Sequence, residues 1–193
     1  MNDIIINTSE TALVVIDLQK GIVERQTVPY TSEIVIQNAA MLAAAFRENN
    51  MPVFLVRVTP SPDRKDALRP ISDVTMQMQV PPSDWADIVP EMGSTREDFV
   101  ITKRQWGAFY GTELDLELRR RGITTIVLCG IATNIGVEST ARFAYEYGYQ
   151  QIFVEDAMSA LSAEEHVFTV TKIFPRIGRV RKTSDLINKL QHP

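Results

Sequence analysis

Residues Thr11–Asp17 read TALVVID, and every position from Ala12 to Ile16 is apolar. A strand with one wet face alternates apolar and polar residues, and this one has no polar face to offer water. Such a run fits the middle of a parallel sheet that is covered on both sides.

The rest of the chain repeats the same grammar. Ser32–Asn50 has a helical spacing of Ile36, Ala39, Ala40, Ala43 and Phe46, after a Thr31/Ser32 cap. Pro52–Val58 reads as a second strand and Asp98–Lys103 as a third. Gly111–Gly122 reads as a helix with Leu114 and Leu118 on one face and Gly122 closing it. Thr124–Gly130 is a fourth strand, followed by a helix that starts near Gly136, and Gln151–Asp156 is a fifth. A helix near Ser162–Phe174, a short strand near Ile177–Val180 and a helix near Ser184–Leu190 complete the chain. This alternation predicts a three-layer α/β/α sandwich in one domain spanning residues 1–193.

Thr59–Glu97 breaks the pattern. It is proline-rich, holds Met76, Met78 and Trp85, and has no clean period. A stretch that long without regular structure reads as a partly ordered cover near a site, or as a surface excursion or oligomer contact.

Composition narrows the function classes. A net charge of -4 gives no general attraction to nucleic acid or anionic membrane. The basic runs Arg119–Arg121 and Arg179–Lys182 read as solvated ends of elements. No apolar run reaches the roughly 18 residues that a membrane span needs, and the acidic start lacks a leader's basic region, so a cytoplasmic protein is expected. His166 and His192 lie far apart, no histidine pair has metal-ligand spacing, and neither a P-loop nor a G-x-G-x-x-G occurs. No metal or cofactor is expected. Cys129, the 1 cysteine, falls inside the fourth strand and reads as an inert core thiol.

Ligands of open α/β sheets bind outside the carboxyl ends of the strands. The polar residues expected there are Asp17, Lys103, the Ile131–Gly136 turn and the Glu155–Asp156 pair. An aspartate closing an apolar run is desolvated and needs a partner, and a lysine at the same edge supplies one. Spacing alone leaves three readings of Asp17 open: a catalytic pair, a structural ion pair, or a cap on the next turn. Glu155 and Asp156 look more like turn residues.

The blocks ALVVIDLQ (Ala12–Gln19), ITKRQWGAFYGTEL (Ile101–Leu114) and LCGIATNIGVESTARFAYEYGYQQIFVEDA (Leu128–Ala157) together resemble the isochorismatase-like hydrolases. The resemblance spans most of the chain. It implies six parallel strands in the order 3-2-1-4-5-6, a homo-oligomer, and a small-molecule substrate. It also implies catalysis by an aspartate, a lysine and, in most branches, a cysteine. Asp17 matches the aspartate and Lys103 the lysine, while the cysteine falls at Gly136. The resemblance further implies a cis peptide between Ile131 and Ala132, which would aim backbone N–H groups into the pocket. Trp106 and Phe109 are expected to line that pocket or an oligomer contact.

Family amidases attack with the thiolate, and Gly136 removes that route. The nicotinamidase branch also carries a D-x-H metal motif after strand two, where this chain reads Arg57–Pro62. True isochorismatases lack the cysteine, and their reaction, the hydrolysis of a vinyl ether, needs an acid and a water. Asp17 would be the acid. Lys103 would either pair with it or hold a substrate carboxylate. A second reading is a non-catalytic member that binds a metabolite or a protein partner.

Overall fold

The computed structural model describes residues 5–73 and 81–192, so Met76 and Met78 fall outside the described residues. Its strands are β1 (Thr11–Ile16), β2 (Val53–Val58), β3 (Phe99–Lys103), β4 (Thr125–Ile131), β5 (Gln150–Ser159) and β6 (Arg179–Arg181). They form one sheet in the order β3-β2-β1-β4-β5-β6, and every pairing is parallel. The helices are α1 (Lys20–Val23), α2 (Ser32–Glu48), α3 (Leu114–Arg120), α4 (Glu138–Glu146), α5 (Ala163–Phe168), α6 (Phe174–Ile177) and α7 (Thr183–Gln191).

β1 explains the architecture. Leu13 and Val15 join the side chains of α2 and α7 in one core layer. Ala12, Val14 and Ile16 join those of α3, α4 and α6 in the other. Burying a Val, Leu or Ile is worth about 1.5–3 kcal/mol, so a strand apolar at every position is stable only where both faces are covered. β1 therefore lies between β2 and β4.

Several boundaries differ from expectation for local reasons. α2 starts where its cap predicts, since the Thr31 side chain accepts from the Ile34 N–H. α3 begins at Leu114, because Thr112 and the backbone before it fold into turns. The segment after β4 is not α-helical at Gly136: Thr133–Val137 forms one π-helical turn, and α4 follows from Glu138. The helix expected over Ser162–Phe174 is likewise split, with a π turn at Thr169–Ile173 between α5 and α6. β5 runs on to Ser159 past an irregularity in its pairing with β4. Glu155 and Asp156 thus lie inside the strand. Glu155 pairs with Lys182, and Asp156 Oδ1 accepts from the Thr183 N–H and hydroxyl at the start of α7. Both serve the packing of α7.

The irregular stretch is pinned beside the carboxyl end of β1. Lys20 N–H donates to Asp87 O, Gly21 N–H to Trp85 O and Val89 N–H to Leu18 O. A β-carbon on Gly21 would stand 1.8 Å from the Trp85 indole, so the ring lies directly on that glycine. Gln19, fully buried, holds the same corner: its Oε1 accepts from Val58 N–H at 2.7 Å, and its Nε2 donates to Val58 O and Trp85 O.

Candidate active site

The strand order reverses between β1 and β4, and the crevice outside their carboxyl ends is where open α/β sheets bind ligands. Asp17 follows β1 directly. Its N–H bonds Val56 O at 2.9 Å, and its φ of 55 lies in a region that side chains other than glycine seldom enter. Backbone of that kind persists where the surroundings impose it, and it turns the carboxyl out of the strand path.

Lys103 is the last residue of β3, and β2 lies between it and Asp17. Its side chain spans that gap, fully buried. The ammonium donates to Asp17 Oδ2 at 2.7 Å, Trp106 O at 2.7 Å and Gln105 O at 3.2 Å. All three N–H donors of the lysine are therefore engaged. Holding a substrate carboxylate would require one of these bonds to break, so the geometry favours Lys103 as the partner of Asp17.

Asp17 is 5% exposed, and its Oδ1 is buried without a hydrogen-bond partner among the described residues. Burial pushes its pKa up to about 6, against the opposing charge and hydrogen bond of Lys103. Desolvation winning over an adjacent cation is what a carboxyl with one unsatisfied buried oxygen requires.

The β4 side supplies the other wall. Gly130 has φ +121, and a β-carbon there would lie 2.0 Å from Ile16 O, so only glycine lets β1 and β4 stay paired at this point. The Ile131–Ala132 peptide is cis. Gly136 is buried in the π turn, and a β-carbon on it would stand 2.9 Å from Ile16 Cγ2, 3.1 Å from Asp17 Oδ2 and 3.5 Å from Lys103 Nζ. A side chain at position 136 would therefore touch the acid–cation pair. Gly136 lets the turn pack directly against that pair, with no room for even one added carbon.

Two buried threonines fix the turn, and neither was legible in the sequence. Thr140 donates to Gly136 O at 2.7 Å and accepts from Ala108 N–H at 3.1 Å, which ties the turn to the loop that follows Lys103. Thr133 hydrogen-bonds with His166 Nδ1 at 2.8 Å, and both are buried. Burial holds the His166 pKa down, against the pull of Glu155. Polar residues inside elements carry no periodicity signal, so only the fold reveals these links.

The other expected residues are placed as follows. Ile131 is packed in the core and Ala132 is half-buried at the start of the turn. Trp106 contributes its main-chain carbonyl to Lys103, while its indole is 61% exposed. Phe109 departs from expectation. Its ring is buried in the core, stacked on Tyr149 and edge-on to Tyr147 at the amino end of β5. It does not line the crevice, because its two aromatic neighbours draw it to the opposite end of the sheet. Cys129 is fully buried, and burial pushes its thiol up to about 12. Among the described residues no cluster of three His, Cys, Asp or Glu residues could hold a metal ion.

The fold is a parallel α/β sheet with a buried acid–cation pair at its switch point, and the comparisons give the family. The isochorismatase domain model matches residues 11–185. The isochorismatase family protein YwoC of Bacillus subtilis is 53% identical over 193 residues, covering 99% of this chain and 100% of its own length. The structure of an isochorismatase family protein from Burkholderia thailandensis superimposes with a TM-score of 0.92 at 46% identity, over 96% of this chain and 97% of that one. The ureidoacrylate amidohydrolase RutB of Acinetobacter baylyi is 36% identical over 107 residues, 55% of this chain and 44% of its own. This chain belongs to the isochorismatase family.

Proposed function

We propose that the protein is a hydrolase of this family that works without a thiol nucleophile, acting on a small carboxylate through acid-catalysed hydrolysis of a vinyl ether. The observation that carries the reading is the Asp17 carboxyl: buried, raised to about 6, and with Oδ1 unpartnered. The family resemblance puts the nucleophilic cysteine at Gly136, and the thiol of Cys129 sits in the core on β4.

The steps balance without a covalent enzyme intermediate. Protonated Asp17 delivers its proton to the terminal vinyl carbon, and the double-bond electrons form the new C–H bond. The resulting oxocarbenium ion takes up water, which loses a proton to the Asp17 carboxylate. The hemiketal then collapses to pyruvate and an alcohol. Lys103 holds Oδ2 throughout, which leaves Oδ1 as the carboxyl oxygen without a protein partner. Glycine at position 136 keeps the side chains of the turn off both groups. A small unsaturated carboxylate also fits what RutB is named for, ureidoacrylate.

The absence of a side chain at 136 equally supports a second reading, a non-catalytic member that binds a metabolite or protein partner in the same crevice. One experiment separates them. Wild type and Asp17→Asn are assayed against enol ethers such as isochorismate and against amides such as ureidoacrylate, with pyruvate and ammonia as readouts. Pyruvate release by wild type, lost in Asp17→Asn with kcat falling more than KM rises, is the expected result. Ammonia release by metal-free wild type contradicts the thiol-free mechanism.

The same reading takes the protein as a cytoplasmic homo-oligomer. No helix among the described residues is long and apolar enough to cross a membrane. The rings of Trp106 and Tyr110, on the loop that follows Lys103, are exposed and offer apolar surface to a partner copy.

A further inference from the structure

His166 is 2% exposed, and the reaction proposed above gives it no part. It sits in α5, where its N–H donates to Ser162 O at 3.2 Å. Its Nδ1 lies 2.8 Å from the hydroxyl of Thr133, which is fully buried. Tyr30 packs edge-on against the imidazole, with ring centroids 5.9 Å apart. The Tyr30 backbone is held in turn, its N–H donating to the Ser159 hydroxyl and its carbonyl accepting from it.

The direction of the His166–Thr133 bond follows from its partners. Among the described residues the Thr133 hydroxyl makes no other hydrogen bond. A buried hydroxyl gives its hydrogen to the acceptor within reach, which assigns Thr133 as donor, Nδ1 as acceptor and the ring proton to Nε2. This arrangement needs the neutral ring, and burial favours that form. Glu155 pulls the other way, but it is paired with Lys182, whose ammonium also donates to the Tyr30 hydroxyl at 3.4 Å. Thr133 opens the π turn, and Gly136 follows in the same turn. Position 136 comes so close to Asp17 that a β-carbon there would stand 3.1 Å from Oδ2. The turn is therefore part of what keeps water from the carboxyl. It is tied from outside at two points: Thr140 holds Gly136 O, and His166 holds Thr133.

We propose that His166 is a positioning residue for the acid: through Thr133 it holds the π turn against Asp17 and so keeps the carboxyl dry. The inference rests on the reading of Asp17 as the acid. Cutting the tie lets the turn move off Asp17 and admits water to the carboxylate. A carboxylate that is better hydrated ionises more readily, so the Asp17 pKa falls from about 6 toward 3.8.

The test is NMR titration of the Asp17 carboxyl carbon in the substrate-free full chain. His166→Leu fills the imidazole's place without an acceptor, Thr133→Val removes the donor at nearly constant shape, and His166→Asn keeps an acceptor where Nδ1 stands. His166→Leu and Thr133→Val are each expected to lower the Asp17 midpoint by about half a pH unit or more. The double variant goes no lower than either single one, since both cut the same hydrogen bond. His166→Asn stays near the wild-type midpoint, whatever its loss in urea stability. A histidine that only packs would give midpoints that follow stability instead of the hydrogen bond. An unchanged midpoint in Thr133→Val, the mildest of these changes, or one lowered by His166→Asn as much as by His166→Leu, overturns the proposal. The titration needs no turnover: a midpoint that moves in a protein releasing no pyruvate keeps His166 in this role and removes only the proposed reaction.

Discussion

Asp17 and Lys103 were legible because each closes an apolar run with a charge that cannot be left unpaired. The sequence did not reveal that the lysine spends all its donors on Asp17, Gln105 and Trp106, since two of these are main-chain carbonyls. Both influences of Lys103 on Asp17 act downward. Lys103→Met is therefore expected to raise the Asp17 pKa above about 6, read from the carboxyl carbon shift in NMR titration; an unchanged midpoint contradicts the pairing. The same shift has a stability consequence. A carboxyl whose folded pKa is raised from 3.8 to about 6 contributes stability that is fully present below the unfolded value and lost as pH rises through the folded one. Denaturant midpoints of wild type are expected to carry this decline between those values, and Asp17→Asn to lack it. Cys129, with its thiol pushed up to about 12, is expected to resist thiol reagents in the folded protein. Cys129→Ser keeps turnover and costs about 1–3 kcal/mol for the buried hydroxyl. Selective inactivation by alkylation of Cys129 would place the chemistry elsewhere.

Of the elements, the first four strands were read to within about one residue at each end, because apolar runs mark them directly, whereas β5 runs on to Ser159 and β6 starts only at Arg179. The segments around the site were read less well. A π turn and an α-helix have similar side-chain spacing over five residues, so Thr133–Val137 could not be separated from α4 by periodicity. Phe109 was misplaced for a related reason: nearness to Lys103 in sequence says nothing about which end of the sheet a ring packs against. The glycines at the β1–β4 junction carry the sharpest element-level expectations. Gly130→Ala combines a β-carbon 2.0 Å from Ile16 O with a φ of +121, and its cost in urea unfolding is expected to exceed about 3 kcal/mol. Gly136→Ala meets only side-chain atoms, at 2.9 Å and 3.1 Å. It is expected to lower turnover far more than stability, because the atoms that must yield are Ile16 Cγ2 and the Asp17 carboxylate itself. Equal losses in both would mean that the close packing beside Asp17 is structural.

The whole molecule follows from one physical constraint. A strand apolar on both faces must be central and covered twice, and the rest of the sheet grows outward from it in the order 3-2-1-4-5-6. The reversal between β1 and β4 then brings Asp17, Lys103 and Gly136 together from three distant parts of the chain. The central claim is that a protonated Asp17 does the chemistry without a thiol. The pH dependence of kcat/KM for pyruvate release from a vinyl ether substrate tests it most directly. An acid with a pKa of about 6 is protonated below that value, so the account predicts a plateau on the acid side and a tenfold fall per pH unit above it. A rate that instead rises through pH 6, or one that is unchanged in Asp17→Asn, contradicts it.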